Sequence, residues 1–178
     1  MSGGAGLVPL LCPRCSTPVP AETEEVAWTC ANCGQGMLLD EDEGLKPITV
    51  HAAASYEAAA SWKPYWVCLG RVRFFRRESY GPDSDPEAGW ARPVRFVLPA
   101  YTLPVEKAVA LGVELLQRPP SLQEGEAQSL QGVTVLPDQL APLARFVVLS
   151  IEAQRDDKLE AIEFTVELDA PELWCLAL

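Results

Sequence analysis

Histidine is almost missing from this chain. His51 is the only one in 178 residues, and it opens an alanine-rich stretch with no cysteine or carboxylate pair beside it. A lone imidazole removes the base that most Ser/His/Asp and Cys/His schemes need. His51 therefore reads as an ordinary boundary residue. A phosphate-cradling loop is missing too, because Gly3-Gly4-Ala5-Gly6 follows no strand. Carboxylates are plentiful, yet no spacing singles out an acid/base pair. The expectation is a protein that is not an enzyme.

Long apolar runs are absent. Nothing approaches the roughly 20 apolar residues of a membrane helix. The longest candidate, residues 96–105, is interrupted by Pro99 and Pro104. Met1-Ser2-Gly3-Gly4-Ala5-Gly6 has neither the basic lead nor the apolar core of an export signal, so a cytoplasmic location is expected. Basic charge is scarce at the N-terminal end. Residues 1–45 hold one basic residue, Arg14, against seven carboxylates. Residues 46–118 hold ten basic and seven acidic residues, and residues 119–178 three basic and eleven acidic, for a net charge of −11. Phosphate backbones are held by Lys and Arg, so this distribution disfavours nucleic-acid binding by the N-terminal segment.

What is present is cysteine at a telling spacing. Cys12, Cys15, Cys30 and Cys33 form two C-x-x-C pairs separated by fourteen residues. Each pair can grip one side of a single metal ion, and the segment between them can form a short hairpin. Four thiolates at this spacing predict one structural zinc ion with a closed coordination sphere. The first pair sits in Cys12-Pro13-Arg14-Cys15 and the second in Cys30-Ala31-Asn32-Cys33-Gly34, where Gly34 suits a positive φ at the end of a tight knuckle. Trp28-Thr29 enters the second knuckle and Met37-Leu38-Leu39 leaves it, as two short strands would. Two disulfides would require an oxidising compartment. A rubredoxin-like iron site, which uses similar knuckles, is the other metal reading. The segment 10–40 resembles the zinc-ribbon family. That resemblance implies a small β-hairpin unit with Cys12, Cys15, Cys30 and Cys33 as ligands.

Hydrophobic content of 48% with 22% charged residues fits a globular chain, and sixteen prolines argue for many turns. Residues 1–9 read as a flexible lead, 10–40 as the ribbon, 41–63 as a linker with a short strand at 46–50 and a short Ala-rich helix, and 64–178 as an α+β domain. Four carboxyl residues in Asp40-Glu41-Asp42-Glu43-Gly44 predict a solvated turn. Strands are expected over 67–77 and 94–98, with a loop at 78–89. Thr102 is the expected N-cap of a helix in which Val105, Val109, Gly112, Val113 and Leu116 recur at helical spacing. Residues 133–136 read as a short strand and residues 146–151 as a buried central strand. Ile162, Phe164, Val166 and Leu168 alternate with Glu163, Thr165 and Glu167, the pattern of a strand with one dry face. The predicted fold is α+β, a zinc ribbon followed by a mixed or antiparallel sheet with one main helix.

Three groups invite more than one reading. Arg71, Arg73, Arg76 and Arg77 form either an anion patch or a wet sheet face paired with Glu163 and Glu167. Trp62, Tyr65, Trp66 and Trp90 either line a recognition groove or close the core. Leu173, Trp174, Leu176 and Leu178 either complete the domain as a last strand or dock on another protein. Trp62, Tyr65, Trp66, Leu173, Trp174 and Leu176 are the partner-binding candidates. Cys68 and Cys175 lie in apolar surroundings and read as buried thiols. The order of ribbon, Lys63-Pro64-Tyr65-Trp66 and Val97-Leu98-Pro99-Ala100 before a helix is similar to a set of bacterial ribbon-headed proteins, which implies a bacterial cytoplasmic source. Together these features predict an accessory or assembly subunit acting through protein–protein contacts. A nucleic-acid-associated ribbon protein and an iron-binding electron-transfer protein are the alternatives. Whether the second domain takes a small molecule is open.

Overall fold

A computed structural model describes residues 10–40, 42–54, 61–81, 89–126, 130 and 132–177. The expected lead at 1–9 and most of the expected Ala-rich helix lie outside these residues. So does most of the expected 78–89 loop. The fold is α+β, with two sheets and two helices among the described residues.

The first sheet is antiparallel, in the order β1 (Ala27–Thr29), β2 (Gly36–Asp40), β3 (Gly44–Ile48). The four-carboxyl turn closes its second hairpin. Asp40 Oδ1 accepts from the backbone amides of Asp42 and Glu43 at 3.0 and 2.9 Å, while Lys46 Nζ lies 2.8 Å from Asp40 Oδ2. Lys46 and then these amides hold the Asp40 carboxyl down at about 2. The short strand expected at 46–50 lies across β3, which joins the first sheet, and the start of β4 (Val50–Ala52), which joins the second.

The second sheet is built on β5 (Trp62–Tyr80), which pairs with β6 (Val94–Pro99) on one side. On its other side, β7 (Lys158–Leu168) and β8 (Glu172–Ala177) pair with it in succession, both antiparallel. Strand β4 adds parallel to β8. Where these ladders overlap, the sheet is buried on both faces. Trp66, Cys68, Phe96, Leu98, Leu173 and Cys175 point into one apolar cluster; Tyr65, Val67, Val97, Trp174 and Leu176 point into a second. Period-two alternation sorts the two sets. The C-terminal segment is thus an interior strand, with Leu173 and Leu176 each 1% exposed. Burying each such leucine contributes roughly 1.5–3 kcal/mol.

Two helices complete the core, the second on the first of these faces and the first shared between both, with Val113 in one cluster and Leu115 in the other. Helix α1 (Val105–Gln117) forms where the apolar spacing predicts. Thr102 does not cap it; its amide and hydroxyl instead meet Thr134 Oγ1. Helix α2 (Leu140–Ala153) replaces the strand expected at 146–151, so the domain has two main helices, not one. Leu140, Ala144, Val147 and Val148 are its buried positions. Their i, i+4, i+7, i+8 spacing is helical; a six-residue apolar window is too short to distinguish helix from strand. Gly112 lets the helices meet, since a Cβ there would lie 2.6 Å from Val147 Cγ2. The expected strand at 133–136 is reduced to one bridge, Ala27 with Val133. No helix among the described residues is long and apolar enough to cross a membrane.

One bulge changes the reading of the arginines. The register runs Phe74 opposite Phe164 and then Arg76 opposite Glu163, leaving Phe75 as an extra residue. A bulge of this kind reverses inward and outward beyond it. Arg76 therefore sits on the wet face, 3.6 Å from Glu163, while Arg77 turns inward with its side chain 8% exposed. Arg77 Nε donates to Glu152 Oε2 of α2 at 2.9 Å, and Nη1 lies 2.6 Å from Asp157 Oδ2. Trp90 Nε1 and Arg155 Nε donate to the other Glu152 oxygen at 2.8 and 2.9 Å. Glu152 is 0% exposed.

Removing one partner of a buried ion pair strands the other. Glu152→Ala is expected to lower the free energy of unfolding by about 3 kcal/mol, read by urea titration; a loss below about 1 kcal/mol would mean the network is not integral to the fold. Arg77, and then Ser79, hold the Asp157 carboxyl down at about 2, below its ordinary 3.8. Its stabilising contribution is present above about pH 4 and lost as pH falls toward 2. The urea midpoint should fall over that window, and Asp157→Asn should flatten the fall.

Candidate metal centre

The two C-x-x-C segments fold the same way. The Cys12 carbonyl accepts from Ser16 N–H and the Cys12 N–H donates to the Thr17 carbonyl; Cys30 does the same with Gly34 and Gln35, all at 2.9 Å. The fifth residue of each turn is left-handed, Ser16 at φ 58° and Gly34 at φ 72°. Gly34 meets this demand without a Cβ penalty, as the sequence predicts, and Ser16 adopts it as an ordinary residue.

These turns bring all four predicted sulfurs together, each within 4.8 Å of the others. Cys12 Sγ lies 3.7 Å from Cys33 Sγ, and Cys15 Sγ 3.5 Å from Cys30 Sγ. Zinc–thiolate bonds of about 2.3 Å in a tetrahedron space the sulfurs about 3.8 Å apart, so the donor set fits such an ion. All four cysteines are free of disulfides. A tetrahedral four-sulfur site suits zinc or iron.

The surroundings favour thiolate where they can. Cys15 is lowered to about 5, chiefly by the Thr17 hydroxyl and then Asn32. Cys30 is lowered by the backbone amides of Cys33 and Asn32. At Cys33 the Gln35 amide lowers the thiol, but burial and the three neighbouring sulfurs win and push it up to about 12. That conflict is what a bound cation relieves, since metal binding displaces thiol protons. Thr17, Asn32 and Gln35 carry no metal-ligand signature and could not be picked out by spacing.

The first sheet presents one face to the sulfurs and the other to the larger core. Trp28 and Met37 pack with Cys12 and Cys30, while Ala27 belongs to the main apolar cluster and Leu38 packs against it. Val26 N–H donates to the Val133 carbonyl at 2.8 Å. Glu25, another residue sequence reasoning missed, accepts from Trp28 Nε1 at 3.0 Å and from Gly132 N–H at 2.8 Å.

The other candidates land elsewhere. Tyr65, Trp66, Leu173, Trp174 and Leu176 are buried, and Trp62 packs half-buried against the main cluster. Core closure is the alternative realised for the aromatic group and for the described part of the tail, so these residues do not form an exposed docking surface. Trp90 is buried on Glu152. The arginine cluster is split: Arg77 turns inward, while Arg71, Arg73 and Arg76 stay exposed, Arg76 meeting Glu78 and Glu163 and Arg71 meeting Asp169 at 3.7 Å. His51 is better held than its sequence context suggests, stacked on Trp174 at 4.7 Å with Nδ1 2.7 Å from Glu124 Oε1. Burial pushes Cys68 and Cys175 up to about 11, the behaviour of unreactive thiols.

No family model, curated protein or solved structure matches this chain. The cysteine geometry therefore stands as the evidence for a metal site.

Purified protein is expected to carry one equivalent of metal by elemental analysis. Cys30→Ser should lower metal retention and red-shift Trp28 emission, because the indole packs on that sulfur's cluster. Full metal content and an unshifted spectrum in the variant would remove Cys30 from the site.

Proposed function

We propose that this protein is a non-enzymatic zinc-binding accessory or assembly subunit that acts through protein–protein contacts. The single observation behind the reading is the closed set of four sulfurs. Four thiolates complete a tetrahedral ion and leave no position for water or substrate, so a metal held there organises structure. Zinc is the ion proposed, with iron as the competing occupant. A metal bound at Cys12, Cys15, Cys30 and Cys33 would fix the Trp28–Met37 face of the first sheet, whose opposite face is joined to the larger domain.

Protein contact is supported by large apolar side chains left at the surface. Phe75 is 70% exposed, Tyr80 67%, Val105 58% and Phe146 52%. These replace the buried tail as the source of apolar contact. The acidic metal module, with Arg14 its only basic residue up to position 45, would face a basic or neutral partner. The nucleic-acid alternative loses support because Arg77 turns inward and Arg71 and Arg76 already meet carboxylates.

Native mass spectrometry on protein isolated gently from its source cells tests the proposal. The expected result is one zinc mass per chain and a stoichiometric companion protein. A chain that carries zinc but no companion at any salt concentration would overturn the subunit role. A visible absorption band that bleaches on reduction would replace zinc with iron.

A further inference from the structure

The exposed side of α2 is unlike the rest of the surface. In a chain of net charge −11, this fourteen-residue helix carries only two charged side chains, Arg145 and the fully buried Glu152. Phe146 and Leu149 stand out from it at 52% and 38% exposure. They form a ridge between two grooves. One groove, of about 410 Å³, lies toward β7 and is floored by Ile162 and Phe164; the other, of about 550 Å³, lies toward α1 and is walled by Val105 and Val109.

The charges on the two flanks are opposite. Arg145 lines the β7-side groove, with its guanidinium 5.9 Å from the centre of the Phe164 ring. Glu106 lines the α1-side groove. Neither forms an ion pair among the described residues. A ridge flanked by two grooves offers a copy of itself a knob and a place to put it. In a two-fold contact the same patch meets itself, so a residue of one flank that meets the opposite flank of the copy does so twice. One unpaired cation on one side and one unpaired anion on the other satisfy that operation twice. A partner patch of one charge sign could satisfy only one of the two flanks.

We infer that this face is where two copies of the chain associate, with Phe146 and Leu149 of each seated in a groove of the other and Arg145 meeting Glu106 across the two-fold axis. The contact goes beyond the accessory-subunit reading and does not depend on it. A homodimer can form with or without a further partner, and the zinc site lies in a separate cluster.

The test is sedimentation equilibrium of the full-length, metal-loaded protein from low micromolar to a few hundred micromolar. A concentration-dependent dimer is expected; a monomer throughout overturns the inference. Phe146→Ser should abolish the dimer while leaving the far-ultraviolet circular dichroism and metal content unchanged, and a dimer that persists in this variant places the contact elsewhere. Arg145→Glu and Glu106→Arg should each weaken the dimer about tenfold, by placing like charges together twice. The double exchange should restore it. Failure of that restoration would rule out the Arg145–Glu106 pairing. Failure of the accessory role would look different, as a homodimer that carries zinc but no companion.

Discussion

Strand β5 imposes its geometry on the larger domain. It carries ladders to β6 on one side and to β8 and then β7 on the other, so the placement of those three strands follows from it. Its first half is dry on both faces, which lets Trp66 and Tyr65 feed different clusters. Its second half is dry on one face only, and there a single extra residue matters. Phe75 stands outside the register, so Arg77 faces inward where the pleat would otherwise have put it in water. Glu152 of α2 meets it, and Trp90 and Arg155 complete the set. A buried charge is tolerated only when it is paired and hydrogen-bonded, so this strand and α2 are tied in one arrangement.

The metal module is joined to this frame by the same pleat. In β1 and β2, alternate residues serve two environments, Trp28 and Met37 toward the thiolates and Ala27 and Leu38 toward the main core. A disturbance at the sulfurs is therefore one residue away from the main core. The Glu25 carboxylate links the Trp28 indole to the 132 backbone, tying the two regions with a charge-assisted contact.

Local patterns carried well into the structure where the signal was long or chemically specific. The cysteine spacing located the four sulfurs, the Val105 to Leu116 periodicity located α1, and the Ile162 to Leu168 alternation located β7. Three readings needed the tertiary structure, for physical reasons. Residues 146–151 were too short an apolar run to reveal a helix whose period shows only from Leu140 onward. Asp40 to Gly44 read as a solvated turn because carboxylates repel; the structure makes that turn the close of a hairpin, with Lys46 alongside. Trp174 and Leu176 allowed either a last strand or a docking tail, because a sequence does not show whether its own chain already covers them.

The sequence by itself determined that residues 12–33 can hold a tetrahedral ion and that an α+β core follows, because thiolate spacing and apolar periodicity are local properties. Only the tertiary structure decided which arginine is buried, which hydrophobic residues are covered and which remain outside. Those outcomes depend on one bulge at Phe75 and on strands brought together from far apart in the chain, such as β5 with β7 and β8. Such long-range pairings leave no periodic trace in either segment alone.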